Sequence, residues 1–395
     1  MSRILVISAR AIEYSTSSII CLRSLIDGLS EDNEVSVIAP HPVETSKYYV
    51  RDFTWNNNQV SINYYDGQPV YTAEKEINET RDSHSSNGLK YLLYKAYKKI
   101  DIFGKAILDL KYADTIIEMI KNVDYDYMIS ASDPIASHIL ANKIKKKRND
   151  VFYIQYWGDP LAMDISASSA LPYWLKLKIE KRILSHADKV VYVSPLTLLE
   201  QKKCFSNFAK KMFFVPTPTV PTTNRTQTLK KKNTHEGVVL GYFGNYDSNI
   251  RNILPLYNAV MSETDIELYL IGDSNIELEN NSKVHVLGRI SPDKLTFYMD
   301  MCDVLVDVMN IRGTQIPAKI YRDAGTNKEV LILEDGDLGA ELKNFLGEYD
   351  RYTFTANNEE SIVCILNRYK NVGVPNRKPV TDFFPIHVAR EVLKK

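Results

Sequence analysis

Short apolar runs alternate with helix-patterned segments twice along this chain, and that repetition constrains the fold more than any other feature. In the first half the runs are ILVIS (4–8), VSVIAP (35–40), VSINYY (60–65), YMISAS (127–132), VFYIQYW (151–157), KVVYVS (189–194) and MFFVP (212–216). Helical spacing of apolar residues fills 19–29, 89–121, 134–147 and 171–186. Strands that are apolar at almost every position need both faces covered, and helices between successive strands provide that cover. The pattern therefore predicts a parallel sheet with crossover helices. The segment 216–236, PTPTVPTTNRTQTLKKKNTHE, carries almost no apolar residues and reads as an interdomain linker. The alternation then restarts with VVLGYFG (238–244), IELYLIG (266–272), KVHVLG (283–288), DVLVDVM (303–309), EVLIL (329–333) and RYTFTA (351–356). The expectation is α/β: two Rossmann-like doubly wound domains facing a central cleft, over 1–215 and 237–379. Ligands of such sheets sit at the carboxyl ends of the strands.

Composition removes several function classes. The 395 residues hold 49 Lys+Arg and 49 Asp+Glu, so the basic excess of a general nucleic-acid binder is missing. Cys21, Cys204, Cys302 and Cys364 lie far apart with no CxxC spacing, which argues against a zinc site or disulfide framework. No stretch of 18 apolar residues appears, and MSRILVISAR has too short an apolar run for a cleavable leader, so a cytoplasmic protein is expected. His84, His138 and His186 lack partner spacing and read as structural.

Four segments of the second half carry a resemblance: LGYFGNYDSNIRNILPLYNAV (240–260), IELYLIGD (266–273), VHVLGRISPDKLTFYMDMCDVLVDV (284–308) and IPAKIYRDAGTNKEVLIL (316–333). In order and spacing they resemble the donor domain of GT-B nucleotide-sugar glycosyltransferases, in particular retaining enzymes of bacterial polysaccharide assembly. The resemblance implies a nucleotide-diphosphate sugar as donor substrate, no metal and no further cofactor. It also implies that the last helix, 380–395, packs back on the first domain. Gly244 permits a tight turn before Asn245, and Arg251, expected at the start of the next helix, matches a phosphate-binding basic residue. A cation there neutralises charge growing on a departing diphosphate; the plainer reading is a solvated surface Arg. Gly288 ends its strand, with Arg289 and Ile290 as implied neighbours of the base, or simply as a turn. Pro317 suits a first helical turn, with Thr314 or Gln315 as its cap region. Gly313, Thr314, Gln315, Ile316 and Pro317 thus form a helix start whose free amides suit phosphate, and Lys319 adds charge.

The chain departs from the pattern where the ribose-binding Glu is usual: Arg322 stands there, Thr314 replaces a second Glu, and Asp323 follows. On the acceptor side, Ser15, Thr16 and Ser17 replace a glycine-rich loop, offering hydroxyls to a ligand or merely capping a helix. Trp157, Gly158 and Asp159 follow a strand end, where Asp159 can take an acceptor's proton or form an ordinary turn with Pro160. Ser132 and Asp133 read as a helix cap. The basic, aromatic helices 90–111 and 171–184 suit either an anionic membrane face or the cover of the sheet. The expected function is glycosyl transfer to a glycan or lipid-linked glycan in surface polysaccharide synthesis, with Asp159, Arg251 and Lys319 at the reaction centre. Alternatives are a non-catalytic subunit that keeps the fold and a sugar-nucleotide isomerase.

Overall fold

The computed structural model describes residues 1–51, 53–55, 57–67, 110–132, 134–165, 171–219 and 237–395. It divides into two compact units, Met1–Pro216 with Pro385–Lys395, and Thr217–Phe384.

Unit 1 is built on seven strands: β1 Arg3–Ile7, β2 Glu34–Pro40, β3 Val60–Tyr65, β4 Tyr127–Ala131, β5 Phe152–Trp157, β6 Lys189–Tyr192 and β7 Met212–Phe214. All pair in parallel, in the order β3-β2-β1-β4-β5-β6-β7. Helices α1 Ser17–Ser30, α2 Ala113–Ile120, α3 Ala136–Lys145, α4 Tyr173–Leu184 and α5 Pro195–Cys204 lie between strands. Helix α1 presents Ile19, Leu22, Leu25, Ile26 and Leu29 to the core in a helical stripe. The two faces of the sheet bury separate clusters: Tyr153 and Trp157 of β5 enter one, Ile154 and Tyr156 the other, as strand alternation requires. Of the helix expected over 89–121, Ala113–Ile120 is helical; residues 89–109 lie outside the described residues.

Unit 2 has six parallel strands, β8 Val238–Phe243, β9 Ile266–Ile271, β10 Val284–Leu287, β11 Val304–Val308, β12 Glu329–Glu334 and β13 Thr353–Ala356, in the order β10-β9-β8-β11-β12-β13. Its helices are α6 Leu254–Ser262, α7 Pro292–Met301, α8 Ala318–Ala324, α9 Gly339–Gly347 and α10 Glu359–Val372. Strand residues Leu240, Leu268, Val306 and Leu331 meet Leu256, Ile362 and Leu366 of α6 and α10 in one core. Unit 2 therefore runs 3-2-1-4-5-6, the doubly wound order, and unit 1 follows the same order with a seventh strand at its end.

The chain returns to unit 1 with α11, Pro385–Leu393, which lies against α1. The approach is close: a Cβ on Gly28 would stand 2.0 Å from the Pro385 carbonyl oxygen. The unit boundaries differ from those expected at both ends. Thr219 N donates to Phe383 O (2.8 Å), Thr219 Oγ1 to Arg322 O (2.8 Å) and Val380 N to Ala324 O (3.0 Å). These bonds bind the first residues of the expected linker, and residues 380–384, into unit 2. The rest of that linker, 220–236, lies outside the described residues.

Candidate functional site

In unit 2 the sheet order reverses direction between β8 and β11. This is where an open parallel sheet offers a crevice at its carboxyl edge. Gly244 ends β8 at φ +142°, and Gly272 ends β9 at φ +154°. A Cβ on Gly272 would lie 2.3 Å from Gly244 O, so the two strand ends touch backbone to backbone. Asn245 joins three strand ends: its Oδ1 accepts from Asp273 N (3.2 Å) and from Arg289 Nη2 (3.3 Å). Its carbonyl oxygen accepts from Arg251 Nη1 (3.4 Å). Arg289, directly after Gly288, also pairs with Asp273 at 2.9 Å. Gly244, Asn245, Arg251, Gly288 and Arg289 thus gather at the carboxyl ends of β8, β9 and β10. Asp273 joins them unanticipated.

Arg251 does not begin a helix. It lies in the loop, its amide bonded to Asp247 O (2.7 Å). Helix α6 starts three residues later, where Asn252 Oδ1 accepts from Leu254 N (3.2 Å) and Pro255 suits the first turn. The loop after β11 reaches the same place, since Ile311 N donates to Ile250 O (2.8 Å).

The loop into α8 turns at Gly313 (φ +84°), and Asn310 Nδ2 fixes it by donating to Gln315 O (2.9 Å). Pro317 is the N-cap residue rather than part of the first turn, and α8 has only seven residues. Thr314 is half-buried, whereas Gln315, Ile316 and Pro317 are buried, so the side chains of these three are packed rather than displayed. Lys319 was expected as an open cation but is turned inward. Its Nζ lies 3.3 Å from Asp307 Oδ1 and 3.1 Å above the Tyr242 ring, with the side chain 9% exposed. The reason is Asp307, a fully buried carboxylate of β11 that requires a counter-ion. Burial, followed by Asp323, pushes the Asp307 carboxyl above the usual range, while Lys319 and Arg322 pull it down. Asp323 is 1% exposed and takes both Nε (2.6 Å) and Nη2 (3.0 Å) of Arg322, so its carboxylate is committed to its neighbour and not to a ribose.

In unit 1 the corresponding reversal lies between β1 and β4. Ser15 Oγ donates to Tyr48 O (3.1 Å), a local tie. Thr16 is the N-cap of α1 without a side-chain cap bond, and Ser17 is exposed. Arg10, which the sequence reading passed over, is 8% exposed and reaches Ser18 Oγ (3.1 Å) and Thr16 Oγ1 (3.5 Å). Gly158 N donates to Ser132 Oγ (3.1 Å), which ties the β5 loop to the β4 end. Asp159 is half-buried in that loop, while Asp133 lies outside the described residues. Trp157 is a correction. Its ring is 0% exposed, 4.3 Å from the His138 ring, and its Nε1 donates to Gln155 Oε1 (3.1 Å), so it belongs to the core and has no face for an acceptor. His138 is structural, as expected: burial lowers it to about 3 and keeps it neutral against Ser130 Oγ. Glu180 of α4 was also missed. Buried completely, it accepts from Ala162 N (2.8 Å) and so anchors the loop that carries Asp159.

Among the described residues no cluster of three or more His, Cys, Asp or Glu side chains is placed to hold a metal. Nor, among them, is any helix long and apolar enough to cross a membrane.

No protein-family model and no curated protein matches the chain by sequence. Solved structures do match. Anabaena HepE in complex with UDP-glucose superposes with a TM-score of 0.61 at 11% identity, covering 99% of this chain and 98% of that one. A glycosyltransferase from Rickettsia africae gives 0.56 at 14% identity, covering 99% and 92%. An E. coli structure described as trehalose-6-phosphate bound with UDP-2-fluoro glucose gives 0.54 at 12% identity, covering 99% and 94%. Identities this low speak for architecture, and together with the two doubly wound sheets they give this chain the GT-B fold.

Proposed function

We propose that the chain is a glycosyltransferase that moves a sugar from a nucleotide-diphosphate donor to a glycan or lipid-linked glycan acceptor in surface polysaccharide synthesis. The observation that carries this reading is the gathering of Gly244, Asn245, Arg251 and Arg289 at the switch point of unit 2, with Lys319 buried beside them. Glycines let backbone amides approach a diphosphate, and cations there meet the charge that grows as the sugar–phosphate bond breaks. UDP and UDP-glucose in HepE structures support the donor class. The resemblance of 316–333 to retaining enzymes supports retention of configuration, with side-chain cations rather than a metal facing the diphosphate. Thermal-shift measurements against UDP-, GDP-, ADP- and dTDP-sugars test the reading: one donor should raise Tm. Arg251→Ala should weaken that donor at least tenfold, about 1.4 kcal/mol. An unchanged affinity removes Arg251 from the site.

The protein works, in this reading, at the cytoplasmic face of a membrane. Helix α4 exposes Trp174 (65%) and Tyr173 (52%) beside Lys178, Lys181 and Arg182, a composition suited to anionic headgroups. Co-sedimentation with vesicles containing phosphatidylglycerol should fall on Trp174→Ser; equal binding with neutral vesicles contradicts the assignment.

A second reading, a non-catalytic subunit, is favoured by one observation. Arg322 stands where the resemblance calls for Glu and is closed on Asp323. Donor binding without turnover of any acceptor or water would select it.

A further inference from the structure

The pair formed by Lys319 and Asp307 is unusual for an ion pair inside a folded unit. Lys319 Nζ and both Asp307 carboxylate oxygens are buried, and none of the three has a hydrogen bond among the described residues. Lys319 Nζ approaches Asp307 Oδ1 to 3.3 Å, outside good hydrogen-bond geometry. A buried ammonium and carboxylate normally need further hydrogen bonds to offset the loss of water, so this arrangement leaves bonding capacity unused. The charged and titratable groups facing Asp307 are Lys319, Arg322 and Asp323 from α8, Tyr242 from β8, and Tyr352 just before β13. Arg351 lies beyond Asp323, spent on the carbonyl oxygens of Asp323, Thr326 and Lys328. Of the two cations near Asp307, Arg322 is held bidentate by Asp323, whereas among the described residues Lys319 meets Asp307 and the Tyr242 ring. The Lys319 stem runs past Gly244: a Cβ there would lie 3.7 Å from Lys319 Cδ. The ammonium is therefore one side-chain rotation from the loop assigned above to the diphosphate.

We propose that Asp307 keeps Lys319 in reserve. When a diphosphate occupies the crevice beside Gly244, the ammonium leaves the carboxylate for the phosphate oxygens and Asp307 takes one proton from solvent. The proposal rests on the donor-binding reading above and adds to it a residue, Asp307, and a linked protonation. Charge balances: the carboxylate that loses its cation becomes a neutral acid, and the lysine stays charged. The direction agrees with the surroundings of Asp307. Burial and Asp323 already favour its neutral form, and Lys319 is the first of the two cations opposing them. A group that gains a proton on binding makes affinity fall as pH rises.

Calorimetric titration of the full chain tests this, using whichever nucleotide sugar of the panel binds. Its diphosphate has no group titrating between pH 6 and 8. At pH 7.5, in two buffers of different ionisation enthalpy, the wild type should take up as much as one proton per donor bound. Its affinity should fall by up to tenfold per pH unit. D307N should bind with no uptake and a flat pH profile. K319M, in which Asp307 is neutral before binding, should also show no uptake and bind at least tenfold more weakly; it decides the matter if D307N does not fold. Donor binding without proton uptake by the wild type, or uptake retained in either variant, overturns the proposal while leaving donor binding intact. Failure of every nucleotide sugar to bind overturns the functional reading and this proposal with it.

Discussion

Single residues set the chemistry of both sheets through burial. Glu180 shows the effect most clearly: enclosure in unit 1 pushes its carboxyl up to about 7, against hydrogen bonds from the Ala162 and Leu161 backbone and from Gln201. Because the folded value lies above the unfolded one, Glu180 contributes stability below about pH 4.5, and the contribution is lost as pH rises through about 7. Glu180→Gln keeps an acceptor for Ala162 N and removes the ionisation. The variant should gain on the wild type by up to about 3 kcal/mol at pH 8 and match it near pH 4.5. Denaturant midpoints across that range measure this; parallel curves would show that Glu180 is not the titrating group. Asp307 and Glu180 were both hidden in the sequence. One interrupts the apolar strand VLVDV and the other sits on the apolar stripe of α4, and a carboxylate in such a place marks a buried charge whose partner spacing alone does not reveal. Trp157 could have been placed: it shares strand parity with Tyr153, and that face of β5 packs inward.

At the scale of elements, lysines that look like surface charge serve as helix terminators. Lys189 Nζ donates to Glu391 O, Val392 O and Lys394 O at the end of α11 (2.9, 3.0 and 2.6 Å). Lys211 does the same for α4 through Leu184 O and Ala187 O, Lys283 for α6 through Met261 O and Glu263 O, and Lys328 for α7 through Asp300 O and Cys302 O. Each satisfies carbonyl groups that a helix end leaves open and places a positive charge against the negative end of the dipole. Lys189→Met should therefore loosen α11 in particular, at a cost of about 1–3 kcal/mol. Hydrogen exchange should quicken across 385–393 while β1 and β4 stay protected. Uniform acceleration would mean that the bond supports the whole unit instead. The strands themselves were legible because buried parallel strands read as continuous apolar runs. The helix starts were less so: α6 begins after Arg251 and α8 after Pro317, each decided by one cap or turn that competes with helical periodicity.

Over the whole molecule, the alternation of strand and helix and its restart after residue 237 carried the fold class. The cluster at the carboxyl edge of the unit 2 sheet was legible as far as backbone turns define it, at Gly244, Asn245 and Arg289. It was not legible where side chains choose partners across the sheet, as Lys319 does with Asp307 and Arg322 with Asp323. A crystal structure of the chain with its best-binding nucleotide sugar is the most direct test. If the crevice of unit 2 holds the donor, diphosphate oxygens should lie within hydrogen-bond distance of the Gly244–Asn245 backbone and the Arg251 guanidinium, with Lys319 Nζ drawn from Asp307 toward them. A nucleotide seated elsewhere, with Arg251 untouched, would contradict that reading.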